Sequence, residues 1–333
     1  MHRKKHILLA AILITSSMIL SACSGASNAN HINSNVDENI NANIANALKN
    51  NDVCYKAFQN AKHSQKEVDK KDANANNANA NNANANNENN ANTSSENTSK
   101  DLSKNLQKAA QSWKNVAIQC NTRFAQGVVF SAQNTWKLGN LSQSAESSTN
   151  AIKNANQMES NVYKKLYDFA NSTSNLYWNH NPLAKAALAQ DKLAFVLQTL
   201  AARDFDNVSL RQSDVTATIA NTLMHFSSKG KDLRQKVYDI DYKSLESGVA
   251  KDAFSAKDLP IVAIAYMDCA RGELDALNHA IFPTNKDGNV NNSALNSNTN
   301  QEFMEILANI VISHIISAYA YGYPSDVSAI FKQ

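Results

Sequence analysis

The chain has 333 residues, with 32 Lys plus Arg against 29 Asp plus Glu, a formal charge of +3, and 43% hydrophobic residues. So close a balance gives no support to a nucleic-acid surface, which needs a concentrated basic field. Only four prolines and eight glycines punctuate the sequence, so an all-α chain of long amphipathic helices is expected rather than many turns and strands.

The first residues, MHRKKHILLAAILITSSMILSAC, join a basic start at Arg3, Lys4 and Lys5 to an apolar run from Ile7 to Leu20. That run is too short and too near the start for an ordinary membrane span, and it reads as a signal peptide over residues 1–22. It leads into Leu20-Ser21-Ala22-Cys23, which resembles the lipobox of bacterial lipoproteins: an aliphatic residue, two small ones, then cysteine. The resemblance covers only this leader. It implies cleavage before Cys23 and acyl chains (palmitate-type) on that residue, which would anchor the chain to the extracytoplasmic face of the cell membrane. The competing reading is a plain secretory signal with a chance cysteine. Two or three acyl chains hold firmly, so an anchor of this kind needs no transmembrane helix. Without Arg3, Lys4 and Lys5 the basic and acidic residues balance at 29 each, and export is a second argument against a nucleic-acid partner.

Residues 23–35 are small and polar and read as a flexible tether. Over 36–71, Ile40, Ile44, Ala47, Cys54, Phe58, Ala61 and Val68 share one helical face, interrupted at Asn51. Residues 72–100 form a low-complexity Asn/Ala-rich segment containing ANANN three times over. Lacking aromatic and branched apolar side chains, it cannot bury enough surface to offset the entropy of ordering, and disorder is expected.

With the 36–71 helix counted in, an all-α bundle of about seven helices is expected, six of them from residue 101 to the end. Leu102, Leu106, Ala109, Trp113, Val116, Cys120, Phe124 and Val128 make one stripe to about residue 139, and a break follows at 140–146. Ile152, Ala155, Met158, Val162, Leu166, Phe169, Thr173 and Leu176 make the next, ended before Pro182. A helix is expected from Leu183 to about Asp204, and another capped by Ser213 or Asp214 that runs through Gly230 to Ile240. Asp258-Leu259-Pro260 reads as the cap of a helix to about Phe282, followed by a polar loop turning at Asp287-Gly288. The last helix, Thr299 to Tyr321, is nearly all apolar apart from a line through Glu302, Glu305, Asn309, Ser313 and Ser317. Polar Asn309 and His314 well inside it favour a buried core helix over a membrane span. Tyr319, Tyr321 and Tyr323 are then expected at the bundle end with hydroxyls outward.

Cys54 and Cys120 lie at similar distances from the low-complexity segment, which would set them level if the flanking helices pair as a hairpin. A Cys54–Cys120 disulfide is therefore expected, with Cys269 free; the alternative is three buried thiols. Chemistry-bearing patterns are sparse. Asp268, Asp275 and His279 share a face, as do His63 and Glu67, but such pairs are common on solvated helices. No Glu-x-x-His motif of the di-iron bundles occurs, nor any Gly-x-Ser-x-Gly elbow. His314 reads as a core histidine bonded to a backbone carbonyl or hydroxyl. Trp113, Trp136 and Trp178 read as packing residues.

No catalytic residue, metal or cofactor is assigned on this basis, and the chain is read as a non-enzyme. The expected function is a membrane-anchored extracytoplasmic binding or interaction module with an envelope or surface partner. The alternative is a solute- or metal-capturing receptor associated with a transporter.

Overall fold

A computed structural model of the chain describes residues 52–73, 91–141, 148–291, 294, 297–326 and 330. The expected signal peptide and tether, Cys23, residues 36–51, the repeats over 74–90 and most of the expected break at 140–146 lie outside the described residues.

The described residues are overwhelmingly helical: nine helices and two small antiparallel ribbons. Helix α1 (residues 52–73) runs antiparallel to α2 (Ala91–Gln119). Val68, Leu102, Leu106 and Ala109 are buried between them near one end. Ala57, Ala61, Trp113 and Val116 are buried near the other. Gln65 fixes the register: its Oε1 accepts from Trp113 Nε1 at 3.1 Å and from Asn134 Nδ2 at 2.9 Å. Residues 91–100, expected in the disordered segment, belong to α2. Adding a turn to an existing packed helix avoids the nucleation cost that keeps such a sequence uncoiled by itself.

Cys54 and Cys120 are joined, with an S–S distance of 2.13 Å and Cα atoms 5.0 Å apart. The bond closes a loop with a sequence separation of 66, for which chain entropy gives a stabilisation of about 4 kcal/mol, at the upper end of the usual range. Reduction under mild denaturant is expected to lower the urea midpoint by about 2–4 kcal/mol of stability. Unchanged midpoints in oxidised and reduced protein would show that the bond carries no such load.

The single helix expected over 101–139 is instead a hairpin. At Cys120 the backbone is extended (φ −122°, ψ 91°), a 3-10 turn follows at Asn121–Arg123, and α3 (Phe124–Leu141) folds back on α2. The stripe Val116, Cys120, Phe124, Val128 keeps helical spacing across the turn because both arms bury it. Gly127 permits the close approach: a Cβ there would lie 2.4 Å from the Ala117 nitrogen.

The remaining helices are α4 (Ser148–Ser172), α5 (His180–Ala201), α6 (Leu210–Phe226), α7 (Tyr242–Ser247), α8 (Ile261–Leu277) and α9 (Asn298–Ala320). Helix α5 starts before the expected Leu183, with Pro182 inside its first turn, where the missing N–H removes no helical bond. The start of α6 lies upstream of Ser213: Ser209 N–H donates to Gln212 Oε1 at 2.7 Å in a capping box. It ends at Phe226 rather than running to Ile240. The segment after it crosses α5 as an irregular strap, pinned by His180, whose Nδ1 lies 3.1 Å from Ser228 O and Nε2 2.8 Å from Lys231 O. Gly230 packs on that ring, where a Cβ would lie 2.2 Å away, so it marks a close contact and not a helix kink.

Asp258–Pro260, expected as a cap, is strand β3, paired with β2 (Val249–Lys251). Strand β1 (Tyr177–Trp178) pairs with β4 (Pro283–Thr284), so α8 ends at Leu277 and not at Phe282. At that end Phe169, Trp178, Phe226 and Phe303 form a buried aromatic cluster, with Trp178 and Phe303 stacked at 4.0 Å.

Five helices close into a ring: α4 packs on α9, α9 on α8, α8 on α5, α5 on α6, and α6 on α4. Helices α2 and α3 cover the outer side of α9. That position explains its composition. Helix α9 is long and apolar enough to cross a membrane, but 89% of its most apolar window is buried in protein. The three tyrosines at its C-terminal end do not point outward as expected. Tyr321 OH donates to Asn207 O at 2.6 Å and Tyr323 OH to Asp252 Oδ2 at 2.6 Å, while Tyr319 OH is buried. For Tyr321 and Tyr323, burying the ring along with its hydroxyl is tolerated because a partner is provided.

Candidate functional site

The middle of the five-helix ring is polar, and every helix contributes to it. Glu159 comes from α4, Gln190 from α5, Thr216 and Gln212 from α6, Tyr266, Cys269 and Glu273 from α8, and His314 from α9. His314, Glu273 and Gln190 are each 0% exposed. On α8, Cys269 and Glu273 are one helical turn apart and so share a face, with Tyr266 a turn earlier. Gly272 lets α8 approach α5 closely, since a Cβ there would lie 3.0 Å from Ala189 Cβ, next to Gln190.

His314 Nδ1 lies 2.7 Å from Glu273 Oε2 and 3.8 Å from Cys269 Sγ. The other carboxylate oxygen, Glu273 Oε1, accepts from Gln190 Nε2 at 2.5 Å. On the far side of the imidazole, Nε2 is 3.9 Å from Glu159 Oε1 and has no hydrogen-bond partner. Glu159 is itself held: Thr216 Oγ1 donates to Oε1 at 3.1 Å and Tyr266 OH to Oε2 at 3.3 Å. Gln212 Nε2 extends the network to Tyr321 OH at 2.9 Å and Asn156 Oδ1 at 2.9 Å.

Burial raises the pKa of Glu159, against the pull of His314 and the two hydroxyl donors. For His314, burial opposes the charged form, but Glu273, by charge and hydrogen bond, and then Glu159 outweigh it, and the pKa is raised. Burial pushes the Cys269 thiol and the Tyr266 hydroxyl well above their usual values, reinforced by Glu273 and Glu159 at the thiol and by Glu159 and Tyr321 at the hydroxyl. The thiol is therefore no ready nucleophile, and the imidazole nitrogen nearest it is already bonded to Glu273. What the cluster offers is a nitrogen, a carboxylate oxygen and a sulfur within 4.8 Å of one another.

Two clefts reach this network from outside. One, of about 440 Å³ between α4 and α6, has Glu159, Asn156 and Gln212 in its wall together with Lys153 and Arg211. The other, about 670 Å³, lies between α5, α8 and the strap, and is lined by Val196, Tyr238, Ile240, Ala265 and Cys269.

Of the residues singled out from sequence, His314 is buried as expected, but its bond is to a carboxylate and not to a backbone carbonyl or hydroxyl. Cys269 is free and lies beside it. Asp268, Asp275 and His279 do not assemble: Asp268 pairs with Arg271 at 2.7 Å, and Asp275 and His279 are exposed. His63 is exposed, and Glu67 pairs with Lys70 at 3.1 Å. Trp113 and Trp178 are core residues, and Trp136 is partly buried against Tyr319. Periodicity passes over Glu159 and Glu273, although each carries a signal, a carboxylate at a position where an apolar stripe expects a hydrocarbon. Glu159 follows Ala155 by four residues, and Glu273 follows Cys269 by four. Comparison of the chain with protein-family profiles, with curated proteins and with solved structures returns no match in any of the three.

Proposed function

We propose that this chain is a lipoprotein held by acyl groups on Cys23 at the extracytoplasmic face of the cell membrane, and that its helical bundle is a binding module. The observation that carries the anchor is the leader itself: Arg3, Lys4 and Lys5, the apolar run to Leu20, and Ser21-Ala22-Cys23 in continuous succession. The Cys54–Cys120 bond supports it, since disulfides persist in oxidising compartments outside the cytoplasm. The burial of α9 among its neighbours also supports it, because the most apolar helix of the described residues is already occupied by packing. The bundle acts by binding and not by catalysis. Its partner is an envelope component, a surface or a captured solute, and not nucleic acid.

A second reading, capture of a solute or metal for a transporter, is favoured by the donor set at the ring centre and by the clefts that reach it. The anchor is tested by replacing Cys23 with serine and fractionating cells. The variant is expected to leave the membrane fraction, and the native N-terminal peptide is expected to begin with an acylated Cys23 in mass spectrometry. A Cys23→Ser protein that sediments with membranes as the parent does overturns the anchor.

A further inference from the structure

We propose that Cys269, Glu273 and His314 form a binding site for one zinc-class divalent cation. The proposal deepens the binding reading and rests on it only in giving the bundle a binding role; the lipid anchor stands or falls separately.

The donor set is the first argument. Thiolate, imidazole and carboxylate are the three side chains that bind zinc, and a site with three of them leaves one position for water or a captured ligand. A tetrahedral zinc ion spaces such ligand atoms roughly 3.3–3.6 Å apart. Cys269 Sγ and His314 Nδ1 are 3.8 Å apart, and all three atoms lie within 4.8 Å. The 2.7 Å contact between His314 Nδ1 and Glu273 Oε2 is a hydrogen bond through the proton that the ion would replace. From the doubly protonated imidazole, binding expels that proton and the thiol proton; the lone pairs left on Nδ1 and Sγ bind the cation, and the already ionised Glu273 carboxylate supplies the third bond.

Charge is the second argument. A thiolate and a carboxylate together neutralise a divalent cation, so the loaded centre adds no net charge to an interior that would otherwise penalise one. Among the described residues no other cysteine competes: Cys54 and Cys120 are bonded to each other.

The third argument is the shell around the donors. Ligation through Nδ1 leaves the proton on Nε2, which is buried, has no hydrogen-bond partner, and has Glu159 Oε1 at 3.9 Å. A carboxylate behind a ligating histidine is the usual outer partner of such sites. Glu159 is in turn positioned by Thr216 and Tyr266, and the second oxygen of Glu273 by Gln190. An isolated core ion pair has no need of this second layer, nor of a thiol in the wall of a cleft of about 670 Å³, through which an ion would enter.

The test uses the full chain, purified in detergent, stripped with a chelator and titrated with Co²⁺ as a coloured substitute for zinc. One Co²⁺ per chain is expected, with a thiolate-to-cobalt charge-transfer band that Zn²⁺ abolishes. Cys269→Ser, a nearly isosteric change checked for helicity by circular dichroism, is expected to lose the band. Glu159→Gln is expected to keep it while binding 10–100-fold more weakly, as a positioning residue should. Cys23→Ser is expected to leave both band and affinity unchanged, which separates failure of the site from failure of the anchor. A wild-type chain that saturates with no charge-transfer band overturns the proposal, as does a band that survives Cys269→Ser.

Discussion

His314→Leu, measured in metal-stripped protein, is expected to lose about 3–5 kcal/mol of stability, read as a lower urea midpoint at unchanged slope. The substitution is close in volume, so cavity formation is a minor part of that loss. The larger part is the Glu273 carboxylate, which sits 2.7 Å from the imidazole and would be left in the interior with only Gln190 as a strong partner. Breaking a buried pair from one side costs far more than replacing it whole. The double variant His314→Leu, Glu273→Leu is therefore expected to recover most of what the single one loses. If the double variant is no more stable than His314→Leu, the cluster is not held by this pair.

Arg271→Ala is expected to have a comparable effect, about 3–5 kcal/mol, at a site on the opposite edge of α8. Asp252, in the β2–β3 hairpin, is 1% exposed. It is paired with Arg271 Nη1 at 3.2 Å. Tyr323 OH donates to the same carboxylate at 2.6 Å, and Arg271 Nη2 donates to that hydroxyl. Arg271 Nε also donates to Ile330 O at 3.0 Å, and its guanidinium lies 3.8 Å over the Phe254 ring. One side chain thus ties the hairpin, the helix and the C-terminal residues together. Alanine removes the charge and the packing at once.

The acid limb reports on the same network. Burial opposes ionisation of Asp252, but hydrogen bonds from Tyr323 and Ser255 and then the Arg271 charge outweigh it and hold the carboxyl below its usual range. A depressed folded pKa contributes stability that is complete above the unfolded value, about 3.9, and is lost as pH falls through the folded one. Arg271→Ala is expected to shrink that loss between pH 4 and the folded pKa. A variant whose stability falls with acid as steeply as the wild type would show that the Arg271 charge adds nothing to the Tyr323 and Ser255 hydrogen bonds in holding the carboxyl down.

Helix content and most of the core were legible in the residues themselves, because a period near 3.6 is a property of the chain. Leu102, Leu106, Ala109, Trp113 and Val116 are buried where their stripe places them, as are Ile152, Ala155, Val162, Leu166 and Phe169. The few prolines and glycines pointed the same way. Cys54 and Cys120 could be set level by counting, since rise per residue on two paired helices is fixed. The hairpin at Cys120 could not be read, because a stripe that faces one core from both sides of a turn keeps its spacing across it. Nor could the end of α6 at Phe226, which is decided by His180 reaching across from α5 to hold the strap.

The charged centre belongs wholly to the tertiary structure. Glu159, Gln190, Thr216, Glu273 and His314 are scattered over more than 150 residues, on five helices. None forms a local motif with another, because ligand spacing along one helix is a one-turn property, whereas here only Cys269 and Glu273 share a turn. What the sequence determined by itself is the helical class and the faces to be buried, both of which depend on neighbours in the chain. Which polar groups meet inside was decided by closure of the α4–α9–α8–α5–α6 ring. That closure sets the distances between side chains remote in sequence, and with them the donor set that the described interior presents.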